Sequence, residues 1–460
     1  MTHHEAGGQR RTGPHGGALP PARREGIEMT MEKHVDATRT LIRGARIVTA
    51  AGDEGVTDLA FANGVIEGPE PRGPVDVDVD ASGLVLTPAF LDPHVHLREP
   101  GFEVKEDLAS GLAAAAAGGF GTVVSMANTD PAIDEPSLVR WLIEKAAVLP
   151  GARLRPAAAL TMGLKGTQLT DAVALKEAGA VMLTDDGIPV SDGEVMRRAC
   201  EWAADLGLVV QTHSEDPALR RDGVMNEGEV SERLGLPGNP RIAEASMVYR
   251  DCAIAAFTGA RVHIAHVTCR EALDVVAHFK ERGAPVTCEV TPQHLSLTDA
   301  AFDTFDPVYK VAPPLRTSDD VDALREGVKR GLVDCIGTDH APHTRDEKHG
   351  DLLSAPFGIA NVEVAFAVLC EALVTTGDLD LPALLRLLQD GPARVMGWDA
   401  PTLAAGAPAD VVLLDLDTAR VVDPATFKSK AKFGPWDGQT LRGWPVKTWV
   451  AGHLAFDRAT

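Results

Sequence analysis

Positive charge is scarce in this chain. Lysine and arginine number 44 against 66 aspartates and glutamates, a formal net charge of −22 over 460 residues. A nucleic-acid or anionic-membrane partner calls for a positive face, so this balance argues against both. An anionic small substrate stays open, because a few buried cations can dominate a pocket locally. Cysteine is also sparse. The six residues Cys200, Cys252, Cys269, Cys288, Cys335 and Cys370 form no CxxC pair and no disulfide framework. They read as reduced, buried thiols of a cytoplasmic protein. Long apolar runs are missing too. No stretch of about 18 uncharged apolar residues occurs, so no transmembrane helix is expected. The alanine run at 113–117 is short and flanked by glycine.

The first 38 residues lack hydrophobic periodicity and are rich in Gly, Pro, Arg and His. They contain no apolar signal-peptide core and read as a disordered extension. His3, His4, His15 and His34 are therefore expected to be solvated and not ligands. Both ends of the remaining chain are strand-rich. Segments 41–48, 58–61, 64–66 and 84–87 match 410–415 and 448–452 in texture. The expectation is a small β-sandwich domain built from both termini, residues 39–88 with 400–460.

Between them, residues 89–399 alternate short apolar runs with amphipathic segments. Candidate strands lie at 122–126, 154–160, 180–184, 208–213, 261–266, 286–290 and 335–338. Candidate helices lie between them, at 138–147, 192–206, 244–257 and 270–282. Repeated β-then-α spacing predicts a parallel sheet. The number of repeats favours a (β/α)8 barrel of TIM type over a doubly wound open sheet.

Polar residues cluster at the ends of those strands: Asp92, His94 and His96; Asp185 and Asp186; His213; His266; Asp339 and His340. A buried parallel strand should be apolar, so polar strand ends at one rim point to a site. His94 and His96 alternate along one strand and share a face. Four histidines with carboxylates suit a divalent metal, zinc first. An HxH pair alone is weak evidence. Its weight here comes from five strand ends sharing the feature. His263 and His340 fall on the opposite parity and are expected to be structural. His278, His349 and His453 read as surface residues.

Several motifs resemble the amidohydrolase superfamily and, within it, the type I dihydroorotases. They are Asp92-Pro93-His94-Val95-His96-Leu97-Arg98-Glu99-Pro100-Gly101, Met126-Ala127-Asn128-Thr129, Thr184-Asp185-Asp186-Gly187 and His213-Ser214-Glu215-Asp216, followed by His263-Ile264-Ala265-His266, Thr291-Pro292-Gln293-His294-Leu295, residues 309–316, Gly337-Thr338-Asp339-His340-Ala341-Pro342-His343 and Ala355-Pro356-Phe357-Gly358. The resemblance spans residues 40–455. It implies zinc-dependent, reversible hydrolysis of dihydroorotate to carbamoyl aspartate in pyrimidine biosynthesis, with two Zn2+ per subunit. His94, His96 and Asp339 would bind the more buried ion and His213 and His266 the second, with Asp186 bridging. Relatives such as hydantoinases bridge with a carbamylated lysine, and strand 180–184 has none. Asp339 would accept a proton from the attacking water and return it to the leaving nitrogen. Arg98 would hold the substrate carboxylate, assisted by Asn128 and His343, with Phe357 and Gly358 against the ring. One position departs from the family: Ala312 stands where an asparagine ordinarily contacts substrate. The resemblance leaves open a homodimer and a complex with aspartate transcarbamoylase. The alternatives are a hydantoinase or allantoinase, and a non-catalytic scaffold for that transcarbamoylase.

Overall fold

The computed structural model describes residues 38–459. The N-terminal extension and its four histidines fall outside the described residues. Eight parallel strands follow one another round a barrel. They are β1 (Phe90–Val95), β2 (Phe120–Ser125), β3 (Arg153–Ala158), β4 (Met182–Thr184), β5 (Val209–Thr212), β6 (Arg261–Ile264), β7 (Val286–Val290) and β8 (Cys335–Ile336). The strand order is sequential throughout, as right-handed β-α-β units require. An open doubly wound sheet is thereby excluded. Closure between β8 and β1 uses no regular ladder. It rests on a parallel bridge between Val95 and His340, with His96 N donating to His340 O at 2.8 Å and Asp339 N to His94 O at 3.0 Å. Asp92 reinforces this seam, its carboxylate accepting from Thr338 Oγ1 at 2.6 Å and Thr338 N at 3.1 Å.

The period of two explains how the strands divide their side chains. Val123, Ala158, Leu183, Val210 and Ile336 join the core shared with the helices. Their neighbours Val124, Ala157, Met182, Val209 and Cys335 form a separate apolar floor inside the barrel, closed by Val395 and Met396. Two residues further along β4 and β5 the interior turns polar, with Thr184 and Gln211, and beyond β8 it reaches Gly337. Two further still come Asp186, His213 and Asp339. The site is the upper part of a stack whose floor is apolar.

The helices end as their sequences dictate. Helix Gly193–Leu206 starts at Asp192, whose side chain accepts from Glu194 N and Val195 N, and stops at Gly207 in the left-handed region (φ 66°). Its Met196, Ala199, Cys200 and Ala203 repeat at helical spacing and are buried. Helix Leu108–Ala117 holds the alanine run. It is buried nearly all round because it lies between the barrel and the terminal strands, where Thr448 Oγ1 donates to Ala116 O at 2.8 Å. Small side chains permit that close approach.

The terminal segments form a second eight-stranded sheet. Thr40–Thr49, Gly52–Ala62, Val65–Gly68, Val77–Asp80 and Val85–Pro88 combine with Val411–Asp415, Trp444–Val450 and His453–Asp457. Val85–Pro88 pairs antiparallel with Val411–Asp415, which joins the two chain ends. Ile42, Ile47, Phe61, Leu86, Val411, Leu413 and Trp449 give this sheet its own core. Among the described residues no helix is long and apolar enough to cross a membrane.

Candidate metal and substrate site

His94, His96, Asp186, His213, His266 and Asp339 converge at the C-terminal rim, and all six are buried. His94 Nε2 lies 3.4 Å from Asp186 Oδ1 and 3.6 Å from Asp339 Oδ1. His96 Nε2 lies 3.1 Å from Asp339 Oδ1 and 3.4 Å from Asp186 Oδ2. His213 Nδ1 and His266 Nε2 each stand 3.9 Å from Asp186 Oδ1. Two overlapping trios, His94–His96–Asp339 and His94–Asp186–His266, bring ligand atoms within 4.8 Å of one another. His213 stands just outside them, its ring 4.6 Å from that of His266. His94 Nε2 and Asp186 Oδ1 are buried, face each other and lack hydrogen-bond partners. Burying such atoms unpaired is costly, and a cation between them would satisfy both. The donor set fits a divalent metal.

Asp185 is committed elsewhere. It accepts from Leu160 N at 2.8 Å and Thr161 N at 2.9 Å and holds the Thr161 hydroxyl. Asp186 is the carboxylate that faces the histidines. Burial resists its charge, but His94, His96 and His213 hold it well below the usual carboxylate range. Burial likewise opposes charging of His94, yet Asp186 and Glu289 raise it well above an ordinary imidazole.

The far nitrogens of the histidines are held by Glu289 and Glu215, to which sequence reasoning gave no role, and by Asn128, which it placed on the substrate. Glu289 Oε1 lies 2.6 Å from His94 Nδ1, and its Oε2 lies 3.1 Å from His263 Nε2. A Cβ at Gly337 would fall 2.3 Å from Glu289 Oε2, so only glycine leaves room for that carboxylate. Glu215 Oε2 lies 3.4 Å from His213 Nε2. Asn128 Oδ1 lies 2.9 Å from His96 Nδ1, while Asn128 Nδ2 donates to Asp186 O at 3.2 Å. Such contacts fix a ring's orientation and tautomer. A signal for Glu289 was present: a charge in the middle of an apolar barrel strand. His263 is structural, but it points into the barrel. His266 differs because the strand stops at Ile264 and the backbone at His266 turns left-handed (φ 34°), which breaks the alternation. His340 faces away from the cluster, its Nδ1 accepting from Asn361 N at 3.1 Å.

Arg98 sits at the same rim, also left-handed (φ 62°). Its Nε donates to Pro342 O at 3.1 Å, and Nη2 lies 3.2 Å from His343 Nε2. Among the described residues no carboxylate lies within ion-pair reach of it: Glu99 is taken by Lys145 and Leu108 N, and Glu103 by Gly101 N. Burial lowers the guanidinium to about 10, so it remains charged at neutral pH. His343 is different. Burial, Arg98 and Lys105 push it down to about 3. Neutral, it donates from Nε2 to Phe357 O at 2.8 Å, and its Nδ1 accepts from Lys105 Nζ at 3.3 Å. Gly358 (φ 141°) passes so close that a Cβ would meet Ala341 O at 2.7 Å and His343 Nε2 at 2.9 Å. Ala312 is half-buried in the neighbouring loop and presents no polar side chain.

His294 lies beneath this loop, its Nε2 donating to Pro313 O at 3.0 Å. Burial and nearby His266 push it down to about 3 from 6.5. A base depressed on folding binds fewer protons in the native state. Its contribution to stability is complete above the unfolded value and is lost as pH falls below 6.5. The slope is at most about 1.4 kcal/mol per pH unit. His294→Gln is expected to flatten the fall in melting temperature below that pH. Parallel Tm–pH curves for the two proteins would refute this.

This geometry has counterparts. Residues 83–272 match the family model described as Dihydro-orotase-like. The dihydroorotase of Deinococcus radiodurans is 57% identical over 412 residues, covering 89% of this chain and 98% of the relative. That of Thermus aquaticus is 49% identical over 423 residues, covering 91% and 99%. The chain belongs to the dihydroorotase family. This places it among the cyclic-amide hydrolases. Among solved structures, the L-hydantoinase of Arthrobacter aurescens superposes with a TM-score of 0.81 at 23% identity, over 92% of this chain and 96% of that one. The dihydropyrimidinase of Brevibacillus agri gives 0.79, also at 23%, over 92% and 95%. At that identity the likeness is one of fold, and the dihydroorotases are much nearer in sequence. The barrel architecture is thus shared with these two structures.

Proposed function

We propose that this protein catalyses the reversible hydrolysis of dihydroorotate to carbamoyl aspartate, with zinc as its metal. The observation that carries the reading is one rim where four histidines and two aspartates converge, beside an arginine that has no carboxylate partner among the described residues. His94, His96 and Asp339 would hold one ion and His213 and His266 a second, with Asp186 between them. When bound, such ions supply hydroxide near neutral pH and polarise a carbonyl oxygen.

The chain's own residues do the rest. Asp339 Oδ1, held by His96 Nε2, accepts the proton of the attacking water and returns it to the departing ring nitrogen. Arg98 offers its free guanidinium edge to the substrate carboxylate in a bidentate pair. Pro342 O orients the guanidinium, and His343 fixes the Phe357 carbonyl beside it. Gly358 leaves space for the ring. Asn128 contributes by fixing His96 and the Asp186 backbone. The closed barrel floor excludes water from below. Ala312 leaves its side of the ring to backbone and water contacts.

A purified sample should hydrolyse dihydroorotate far faster than hydantoin or dihydrouracil. Its rate should rise with zinc content determined by elemental analysis. Preference for either uncharged ring would favour the hydantoinase reading. Turnover in verified metal-free protein would overturn the proposal, and a metal-loaded protein inert to all three substrates would point to a scaffold. The occupancy of both metal positions, homodimer formation and transcarbamoylase binding belong to the same proposal and are checked by metal stoichiometry and light scattering.

A further inference from the structure

Arg220 ends the short helix Pro217–Arg220, which follows directly on the His213 loop. Its Nε is buried and lies 3.2 Å from Glu215 Oε2, without an aligned hydrogen bond. Glu215 is itself 1% exposed and accepts from Asn239 Nδ2 at 2.6 Å. The same Oε2 faces His213 Nε2 at 3.4 Å. On its other side Arg220 places its guanidinium carbon 4.5 Å from the centre of the Phe357 ring. Lys310 Nζ reaches that ring at the same distance, and Lys310 O accepts from Gly358 N at 2.9 Å. One planar cation therefore touches two parts of the site. Its edge meets the carboxylate behind His213, and its plane meets the aromatic ring of the segment pinned by His343.

We propose that Arg220 is a positioning residue that ties the His213 side of the metal cluster to the Phe357–Gly358 segment over the substrate ring. The proposal rests on the metal and substrate reading above. The two contacts demand different properties. Glu215 needs a positive charge, and either basic side chain provides one. The Phe357 ring accepts the Lys310 ammonium as well, so what lysine at 220 does not copy is the flat guanidinium that reaches this ring while its edge stays on Glu215. Loss of charge should free Glu215 to turn, and His213 with it. Loss of planarity alone should disturb only Phe357.

The test compares R220M and R220K with the native protein. Zinc affinity is read by competition with a chromogenic chelator, and KM and kcat for dihydroorotate are measured separately. Methionine should weaken the looser of two zinc ions by roughly 10–100-fold, the usual effect of removing an outer-shell partner, and should also raise KM. Lysine should restore zinc affinity while KM stays several-fold high. Melting temperatures should change little. Native zinc affinity and KM in R220M would overturn the proposal. So would an R220K protein that fails on both counts together with a lowered Tm, because that pattern is a packing defect. A native protein holding a single ion would overturn it as well, while leaving hydrolysis intact. A native protein inert towards dihydroorotate would instead sink the functional reading.

Discussion

Asp339→Asn is expected to lower kcat for dihydroorotate hydrolysis by about 10²–10⁴-fold, the usual contribution of a positioned acid–base group. The expectation follows from where the carboxylate sits. Asp339 lies at the β8–β1 seam in a left-handed conformation (φ 49°), with its oxygen 3.1 Å from His96 Nε2. Burial opposes its charge, but His96 and His94 hold it below the ordinary carboxylate range. It is therefore ionised at neutral pH and ready to receive a proton. Asparagine keeps the shape and cannot carry the proton. Because Asp339 is also a proposed ligand, zinc content must be measured in the same sample. The acid limb of the native pH–rate profile should disappear in the variant, since activity falls as pH drops through the carboxylate's pKa. A variant with normal zinc and activity within threefold of native would remove Asp339 from the proton path. A variant that loses zinc and activity in proportion would leave it a ligand only.

Arg98→Ala should reduce kcat/KM for dihydroorotate by at least tenfold. A hydrogen bond to a charged group contributes about 1.5–3 kcal/mol, and each 1.4 kcal/mol is about tenfold. Dihydrouracil, the same ring without the carboxylate, should lose far less. Zinc content should stay the same, because Arg98 touches Pro342 and His343 and none of the ligand atoms. The decisive quantity is the ratio of kcat/KM for the two substrates in native and variant protein. An equal fall for both would make Arg98 structural and remove the main physical support for a carboxylated substrate.

Much of this site was legible because barrel strands are a strict environment. A histidine or carboxylate where a buried strand should be apolar is conspicuous, and His94, Asp186, His213 and Asp339 stood out on that ground. The residues behind them were harder to see. Glu215 and Asn128 lie in loops, where polar residues are ordinary, and only the fold shows that their side chains turn back onto His213 and His96. The parity argument also had a limit. Extended two residues past His96, it would set Arg98 on the same face as though the strand continued, but β1 ends at Val95. A left-handed residue brings the guanidinium round instead. The same device at His266 explains why His263 and His266 both point inward despite a spacing of three. Positive φ at non-glycine residues costs of order 1–3 kcal/mol each and leaves no mark in the hydrophobic pattern. The seam was likewise hidden, since β8 has only two residues in regular pairing.

That seam is where the barrel wall has no regular strand ladder. Elsewhere each strand is ladder-paired with its neighbour, but between β1 and β8 the wall is held by one bridge with its two backbone hydrogen bonds and by the Asp92 staple. Local opening is easiest where backbone pairing is thinnest, and both partners at this point carry residues proposed as metal ligands. Parting of the strands would expose His94, His96 and Asp339 together, and binding of an ion would draw them shut. If these residues hold a metal as proposed, its loss should loosen the barrel first at this seam, and long-term storage without metal should age this protein from its active end.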